Sequence, residues 1–402
     1  MSEPLVIVGN GMAAAKLAEE LSKTALGRYA IAVIGAEPRL AYNRVLLSSV
    51  LAGEVASHDI ELKPASWWRD HGVTLKCNTL VTEIDVGRRE LKIENEESVA
   101  FSKLVLATGS MPLRLNVPGG ELAGVYTFRD SRDTDLMLTL AVKRKRVVVV
   151  GGGLLGLEAA YGLAKAGSKV TLLHLMDRLM ERQLDGPGAA LLKALVERKG
   201  VEVLLNANTA RIHGKTSVEA VELADGRMID AEAVIFAAGI RPNVALAKDG
   251  GIAVNRGIVV DDHMQTSAPD IFALGECAEH RGTCYGLVEP AYEQARVLAR
   301  HLAGREATYQ GSVVATNLKV SGVGVFSAGD FVGSPGSEAI VLNDARRGVY
   351  KKLVIADGRL AGAVLIGETQ DALWYLDLIR TRQPVAAIRA EMMFGRAPAK
   401  AA

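Results

Sequence analysis

Val147-Val148-Val149-Val150-Gly151-Gly152-Gly153-Leu154-Leu155-Gly156 opens a strand, a turn and a helix within ten residues. Four successive β-branched residues are the mark of a strand buried on both faces. The run after the glycines places Ala159, Ala160, Leu163 and Ala164 on one helical face. Between them stands G-x-G-x-x-G. Its first glycine permits the tight turn, its second lets backbone approach a pyrophosphate, and its third lets helix and strand pack closely. The helix N-terminus then faces the negative charge. One such turn also arises for structural reasons alone, so a second copy is what decides. Leu5-Val6-Ile7-Val8 runs into Gly9-Asn10-Gly11-Met12-Ala13-Ala14, followed by Ala14, Leu17, Ala18 and Leu21 on one face. The chain repeats a nucleotide-binding unit, which predicts an α/β protein with two Rossmann-like dinucleotide-binding domains.

Outward from these turns the two units differ. An acid at the end of the second strand usually meets an adenosine ribose. The first unit offers Glu37 there, after Ile31-Ala32-Val33-Ile34-Gly35-Ala36. A solvated loop carboxylate is the alternative reading. In the second unit Lys169-Val170-Thr171-Leu172-Leu173 ends at His174, with Asp177, Arg178 and Arg182 beyond. Neither a ribose acid nor an arginine pair for a 2′-phosphate is evident, so the second nucleotide is read as NADH or NADPH, with a lean to NADH. Each unit closes with a strand and a glycine turn, Leu104-Val105-Leu106-Ala107-Thr108-Gly109 and Val234-Ile235-Phe236-Ala237-Ala238-Gly239.

The 402 residues suit two or three domains, and a net charge of +1 gives no reason to expect nucleic acid as a partner. Met1-Ser2-Glu3-Pro4 lacks the basic segment and cleavage site of a secretory signal, and no apolar run reaches the roughly 18 residues that span a bilayer. A cytoplasmic protein with no membrane partner is expected. Three cysteines, Cys77, Cys277 and Cys284, are too few for a disulfide scaffold or an iron-sulfur cluster, so redox work would need an organic cofactor. Cys277, His280 and Cys284 lack a further ligand, and no metal is expected.

Gln265-Thr266-Ser267-Ala268-Pro269-Asp270-Ile271-Phe272-Ala273-Leu274-Gly275-Glu276 completes a set that resembles the two-dinucleotide flavoproteins of glutathione-reductase type. The resemblance implies FAD on Gly9, Gly11, Met12, Ala13 and Ala14 of the first turn. Glu37, Arg44 and Val81 would join from the same unit, as would Ala107, Thr108 and Gly109, then Gly275, Glu276 and Glu289. Glu276 departs from the commoner aspartate. NADH or NADPH would lie on Gly151, Gly153, Leu154, Leu155 and Gly156, with His174 and Gly239. Arg44 would approach the FAD pyrophosphate, and the helix opened by Glu289-Pro290 would direct N–H groups at the flavin pyrimidine. Glu158 would reach toward the flavin edge as the catalytic carboxyl, or else merely complement a helix dipole. Many relatives pair this glutamate with a lysine; here Leu47-Ser48-Ser49 supplies none.

A narrower resemblance rests on Tyr42-Asn43-Arg44-Val45-Leu46-Leu47-Ser48, Gly151 to Glu158, His174 to Asp185, Gly239-Ile240-Arg241-Pro242-Asn243, Asn255 to Asp262 and Gly275 to Gly282. These segments look like the N-terminal flavoprotein half of assimilatory NAD(P)H nitrite reductase. That family's longer members continue into cysteine-rich [2Fe-2S] and sirohaem modules, whereas this sequence stops shortly after Met392-Met393-Phe394-Gly395. A stand-alone electron-transfer subunit of nitrate or nitrite assimilation, or a chain cut at the module boundary, is expected. Its acceptor would be a redox protein: an iron-sulfur, sirohaem or molybdenum reductase subunit. A rubredoxin or ferredoxin reductase is one alternative and a dinucleotide-sensing flavoprotein another. Cysteine pairs of disulfide reductases and the single redox cysteine of peroxidases are missing at their places, Ser48-Ser49 occupying the latter.

The expected division is FAD domain 1–115, NAD(P)H domain 116–242, FAD domain resumed 243–309, and a small C-terminal α+β domain 310–402. In the last, Val349 to Ile355, the turn Ala356-Asp357-Gly358-Arg359 and Leu360 to Ile366 read as a hairpin before a helix near Asp371 to Arg380. Trp374 and Tyr375 are either core residues or part of an interface compatible with a homodimer.

Overall fold

The computed structural model describes residues 2–313, 315–320 and 322–396. It divides into two compact units, the first formed by residues 1–47, 55–112 and 240–312, the second by 48–54, 113–239 and 313–402.

In the first unit five parallel strands stand in the order Ile271–Ala273, Lys103–Leu106, Glu3–Val8, Tyr29–Ile34, Thr74–Lys76. Leu5, Val6, Ile7, Leu104, Val105 and Leu106 are at most 2% exposed. That explains why both central strands are continuous apolar runs rather than alternating ones. Helix Met12–Thr24 buries Ala14, Leu17, Ala18 and Leu21, the face its periodicity predicts, and packs beside helix Val288–Leu302. From Glu3–Val8 the chain proceeds to one side of the sheet and later returns on the other, so a crevice opens past the ends of Glu3–Val8 and Lys103–Leu106.

The second unit repeats the plan. Its parallel sheet has the order Val201–Leu204, Lys169–Leu173, Arg146–Val150, Ala233–Phe236, Val125–Thr127. Val147, Val148, Val149 and Val150 are all buried, each worth roughly 2 kcal/mol of apolar burial. Helix Leu154–Lys165 follows the glycines. The order reverses between Arg146–Val150 and Ala233–Phe236, which sets a second crevice at Gly151.

Also in the second unit is a five-stranded antiparallel sheet, Ala315–Val320, Val323–Gly329, Arg359–Ile366, Val349–Ala356, Glu338–Asp344. The expected hairpin is present, with Asp357 and Gly358 at φ of 49° and 69° as its tight turn demands. Helix Ala372–Thr381 covers one face. Tyr375 is fully buried with its hydroxyl donating to the Met392 carbonyl at 2.5 Å, so it is a core residue, and Trp374 packs partly buried against the same core. The sheet is tied to helix Gly186–Glu197 by Tyr350, whose hydroxyl donates to Asp185 Oδ2 at 2.7 Å. Burial and the facing carboxylate hold that phenol above its ordinary range.

Candidate functional site

The two glycine turns show which glycines the protein itself requires. A Cβ on Gly9 would lie 2.2 Å from the Ala107 carbonyl oxygen, and one on Gly151 would lie 2.3 Å from that of Ala237. Both residues have positive φ, +113° and +128°. Each first glycine is thus forced by the backbone leaving the neighbouring strand, Lys103–Leu106 in one unit and Ala233–Phe236 in the other. Gly156 is forced too, since its Cβ would fall 1.9 Å from the Gly151 carbonyl oxygen, whereas the first unit accommodates a buried Ala14.

The middle glycines behave differently. A Cβ on Gly11 or on Gly153 would meet nothing within 4 Å. Each is the N-cap of its helix and offers no side-chain hydrogen bond there. The first turns of both helices therefore present backbone donors beside a bare approach path. Met12 and Ala13, and Leu154 and Leu155, form those turns. A pyrophosphate fits this donor set, because it supplies the acceptors and the negative charge that an uncapped N-terminus lacks.

Around the first turn the predicted residues converge. Glu37 lies past strand Tyr29–Ile34, its carboxylate hydrogen-bonded by the Tyr42 hydroxyl at 2.7 Å and by the Arg44 guanidinium. Arg44 also lies over the Tyr42 ring, 5.1 Å from its centroid. Burial works against the Arg44 charge, but Tyr42, Glu37 and Glu276 outweigh it and hold the guanidinium more firmly protonated than usual. Glu276 accepts from Ser110 Oγ at 2.7 Å. One guanidinium is thus bonded to Glu37 and lies within the field of Glu276, from a distant part of the chain. The Glu37 carbonyl accepts from Asn78 N–H and the Gly35 carbonyl from Thr79 N–H, both at 2.9 Å, and Val81, two residues further on, is buried in the core of the first unit.

Two predicted residues have local duties. The Thr108 hydroxyl donates to the Asn243 carbonyl at 2.7 Å and fastens the loop that precedes Gly109. Glu289 lies in the first turn of helix Val288–Leu302, exposed and paired with Arg296 at 3.6 Å, as a carboxylate complementing the helix dipole. Sequence reasoning missed Gln294. It is 1% exposed, accepts the Gly275 N–H at 2.8 Å, and its Nε2 has no protein partner among the described residues. The signal was available: a polar residue inside the apolar stripe of Ala291, Ala295 and Leu298. Ala13 completes the junction, 3.0 Å from where a Gly275 Cβ would stand.

In the second unit Glu158 is buried in helix Leu154–Lys165. Burial pushes its carboxyl up to about 7, against a hydrogen bond from Ser48 that favours the charged form. The partner of this carboxyl is thus a neutral hydroxyl, which leaves the desolvation only partly offset. His174 directly follows strand Lys169–Leu173; its Nδ1 accepts the Gly152 N–H at 3.0 Å and its Nε2 faces Glu181 Oε2 at 3.1 Å. Gly239 follows strand Ala233–Phe236 with φ of +122° and open space at its Cβ position.

Residues 3–297 match the pyridine nucleotide-disulphide oxidoreductase family. The chain belongs to that family. It is an NAD(P)H oxidoreductase whose cofactors are FAD and NAD(P)H. Residues 315–383 match the rubredoxin NAD+ reductase C-terminal domain. In Bacillus subtilis (strain 168) a nitrite reductase [NAD(P)H] is 45% identical over 383 residues, covering 95% of this chain and 48% of the relative. The assimilatory nitrate reductase electron transfer subunit of the same organism is 40% identical over 390 residues, covering 97% and 51%. The chain thus spans about half the length of these curated relatives. The crystal structure of a covalent putidaredoxin reductase-putidaredoxin complex superposes with a TM-score of 0.85 at 27% identity, covering 95% of this chain and 94% of that one. Cys277 is fully buried with its thiol on the Leu106 carbonyl, where burial pushes the thiol up and keeps it unreactive. Among the described residues no helix is long and apolar enough to cross a membrane.

Proposed function

We propose that this chain takes electrons from NADH or NADPH and delivers them through FAD to a separate redox protein of nitrate or nitrite assimilation. The observation that carries the reading is the pair of uncapped glycine turns at two sheet crevices, the first of which has the Glu37–Arg44 pair in the field of Glu276. In this reading Gly9, Gly11 and Ala14 with Glu37, Arg44 and Glu276 hold FAD, and Gly151, Gly153 and Gly156 hold the nicotinamide nucleotide. The flavin, once bound, supplies the chemistry that accepts a hydride and passes its electrons on.

The chain's own residues position, neutralise and exclude. Arg44 supplies positive charge for a pyrophosphate while remaining anchored by the Glu37 carboxylate. Helix donors at Met12 and Ala13, and at Leu154 and Leu155, add oriented N–H groups. Glu158 is the carboxyl proposed for the hydride-transfer locus, and its partner Ser48 follows Arg44 by only four residues. A carboxyl that is half protonated near neutrality can donate to a nicotinamide amide without placing a full negative charge beside an arriving hydride. We also propose the division into FAD residues 1–115 and 243–309, NAD(P)H residues 116–242 and a C-terminal domain from 310.

The match of residues 315–383 favours a second reading, an NAD(P)H-dependent reductase of rubredoxin or ferredoxin. FAD-loaded protein should bleach near about 450 nm on addition of NADH or NADPH. Reoxidation by a nitrite or nitrate reductase partner faster than by rubredoxin or ferredoxin supports the assimilatory reading, and the reverse order supports the second. A protein that binds no flavin, or consumes neither nucleotide with any acceptor, refutes both.

A further inference from the structure

The second glycine turn lacks the acid that sequence reasoning seeks at the end of strand Lys169–Leu173, but the fold supplies one from further along the chain. Three hydrogen bonds close a circuit on Gly152. Its N–H donates to His174 Nδ1 at 3.0 Å, His174 Nε2 meets Glu181 Oε2 at 3.1 Å, and the Met180 N–H returns to the Gly152 carbonyl at 3.0 Å. The backbone donor fixes the imidazole. Nδ1 must be the lone-pair nitrogen, so Nε2 bears the hydrogen and donates it to Glu181. The pair is thus a neutral ring with an ionised carboxylate, net charge −1. Packing enforces the same arrangement, since a Cβ on Gly152 would lie 2.5 Å from the His174 ring and 2.8 Å from Leu179. The middle position of Gly151-Gly152-Gly153 is glycine because the loop after the strand folds down upon it.

We infer that Glu181, held by His174, is the carboxylate that receives the adenosine ribose in the second unit and makes this chain select NADH over NADPH. The inference rests on the proposed nicotinamide-nucleotide role of this turn. Glu181 retains a second oxygen and is 27% exposed, enough to accept from ribose hydroxyls. A 2′-phosphate, carrying up to two negative charges, would instead meet a fixed carboxylate. The charges nearest the strand end, Asp177 and Arg178, are engaged with each other. Asp177, the acid closer to the strand end, is 66% exposed and bonded to Arg178 at 3.1 Å, which turns that guanidinium toward an adjacent carboxylate. Neither makes a hydrogen bond to the turn.

The test compares wild type, Glu181→Gln, Glu181→Ala and the control Asp177→Asn, all FAD-loaded. Dissociation constants for NAD+ and NADP+ come from calorimetry, and kcat/KM from NADH and NADPH titrations with a dye acceptor. Flavin content checks that each variant is folded. Wild type should favour the unphosphorylated nucleotide by both measures. Glu181→Gln should shrink that ratio by about tenfold, with Asp177→Asn leaving it within twofold. A wild type that prefers NADP+, or a ratio unmoved by either Glu181 change while both nucleotides still bind, overturns the inference and leaves the turn's assignment standing. Failure of wild type to bind either nucleotide would instead bring down the assignment of the turn.

Discussion

Replacing Glu158 by glutamine should make the protein more stable, and only above a defined pH. The carboxyl is buried and raised from the ordinary 4.5 to about 7 by the loss of water, with a hydrogen bond from Ser48 drawing it back. An acid with a raised native value keeps its proton in the fold at pH values where the unfolded chain has released it. Its stabilising share is therefore complete below 4.5, is lost progressively as pH climbs, and is gone above about 7. At about 1.4 kcal/mol per pH unit the loss comes to about 3 kcal/mol. Glutamine has no proton to release and preserves the shape and an acceptor for Ser48. Denaturant titrations of FAD-saturated wild type and Glu158→Gln at intervals from pH 4.5 to 8.5 would isolate the difference, since every other titrating group cancels. The two proteins should be nearly equal at the acid end and separate by about 3 kcal/mol at pH 8, or roughly 6 °C in Tm for a unit of this size. Ser48→Ala should move the window to higher pH, because the bond that favours the anion is gone. A difference that does not change between pH 5 and 8, or a glutamine variant no more stable at pH 8, would refute the claim that Glu158 is a desolvated acid.

Gly11→Ala and Gly153→Ala should each fold normally, because no protein atom opposes the new methyl. Flavin content should fall in the first alone and nucleotide affinity in the second alone, as read by absorbance and calorimetry. Gly156→Ala should cost at least about 2 kcal/mol in denaturant unfolding, because a methyl at that position collides with the Gly151 carbonyl. Arg44→Gln leaves Glu37 and Glu276 without their shared cation, and flavin release in a dialysis series should quicken by roughly tenfold. Tyr350→Phe removes the hydroxyl that reaches Asp185 and should lower stability by about 1 kcal/mol without changing flavin content.

Much of the fold is legible in the sequence. The strands at Leu5 and Val147, the helices after them and the matching turns at Gly109 and Gly239 follow from periodicity and glycine spacing, because both are imposed by local sterics. The association of Glu37 with Arg44 was half visible: both were expected at one cofactor, but their mutual bond depends on a loop path that spacing does not encode. Ser48 and Glu181 were out of reach for another reason, and Gln294 was visible only as a polar break in an apolar stripe, without its partner. Each works through one side-chain contact made across a fold, Gln294 to Gly275, Ser48 to Glu158 and Glu181 to His174. Tyr375 had two open readings, interface or core, and burial decided for the core.

The stretch Ser48–Glu54 is grouped with the second unit although the residues on either side of it fold with the first. Leu51 explains why: its side chain fills the space that a Gly162 Cβ would occupy, 2.7 Å away, and Glu54 pairs with Lys165 at 2.7 Å. An engineer hoping to transplant the second half into another reductase as a single cassette would leave this seven-residue clasp behind, and with it Ser48. The graft would expose a leucine-shaped notch on the helix and strip Glu158 of its hydroxyl neighbour. A usable swap has to be made in at least two pieces, and screening chimaeras cut only near 113 and 239 should return mostly unstable products.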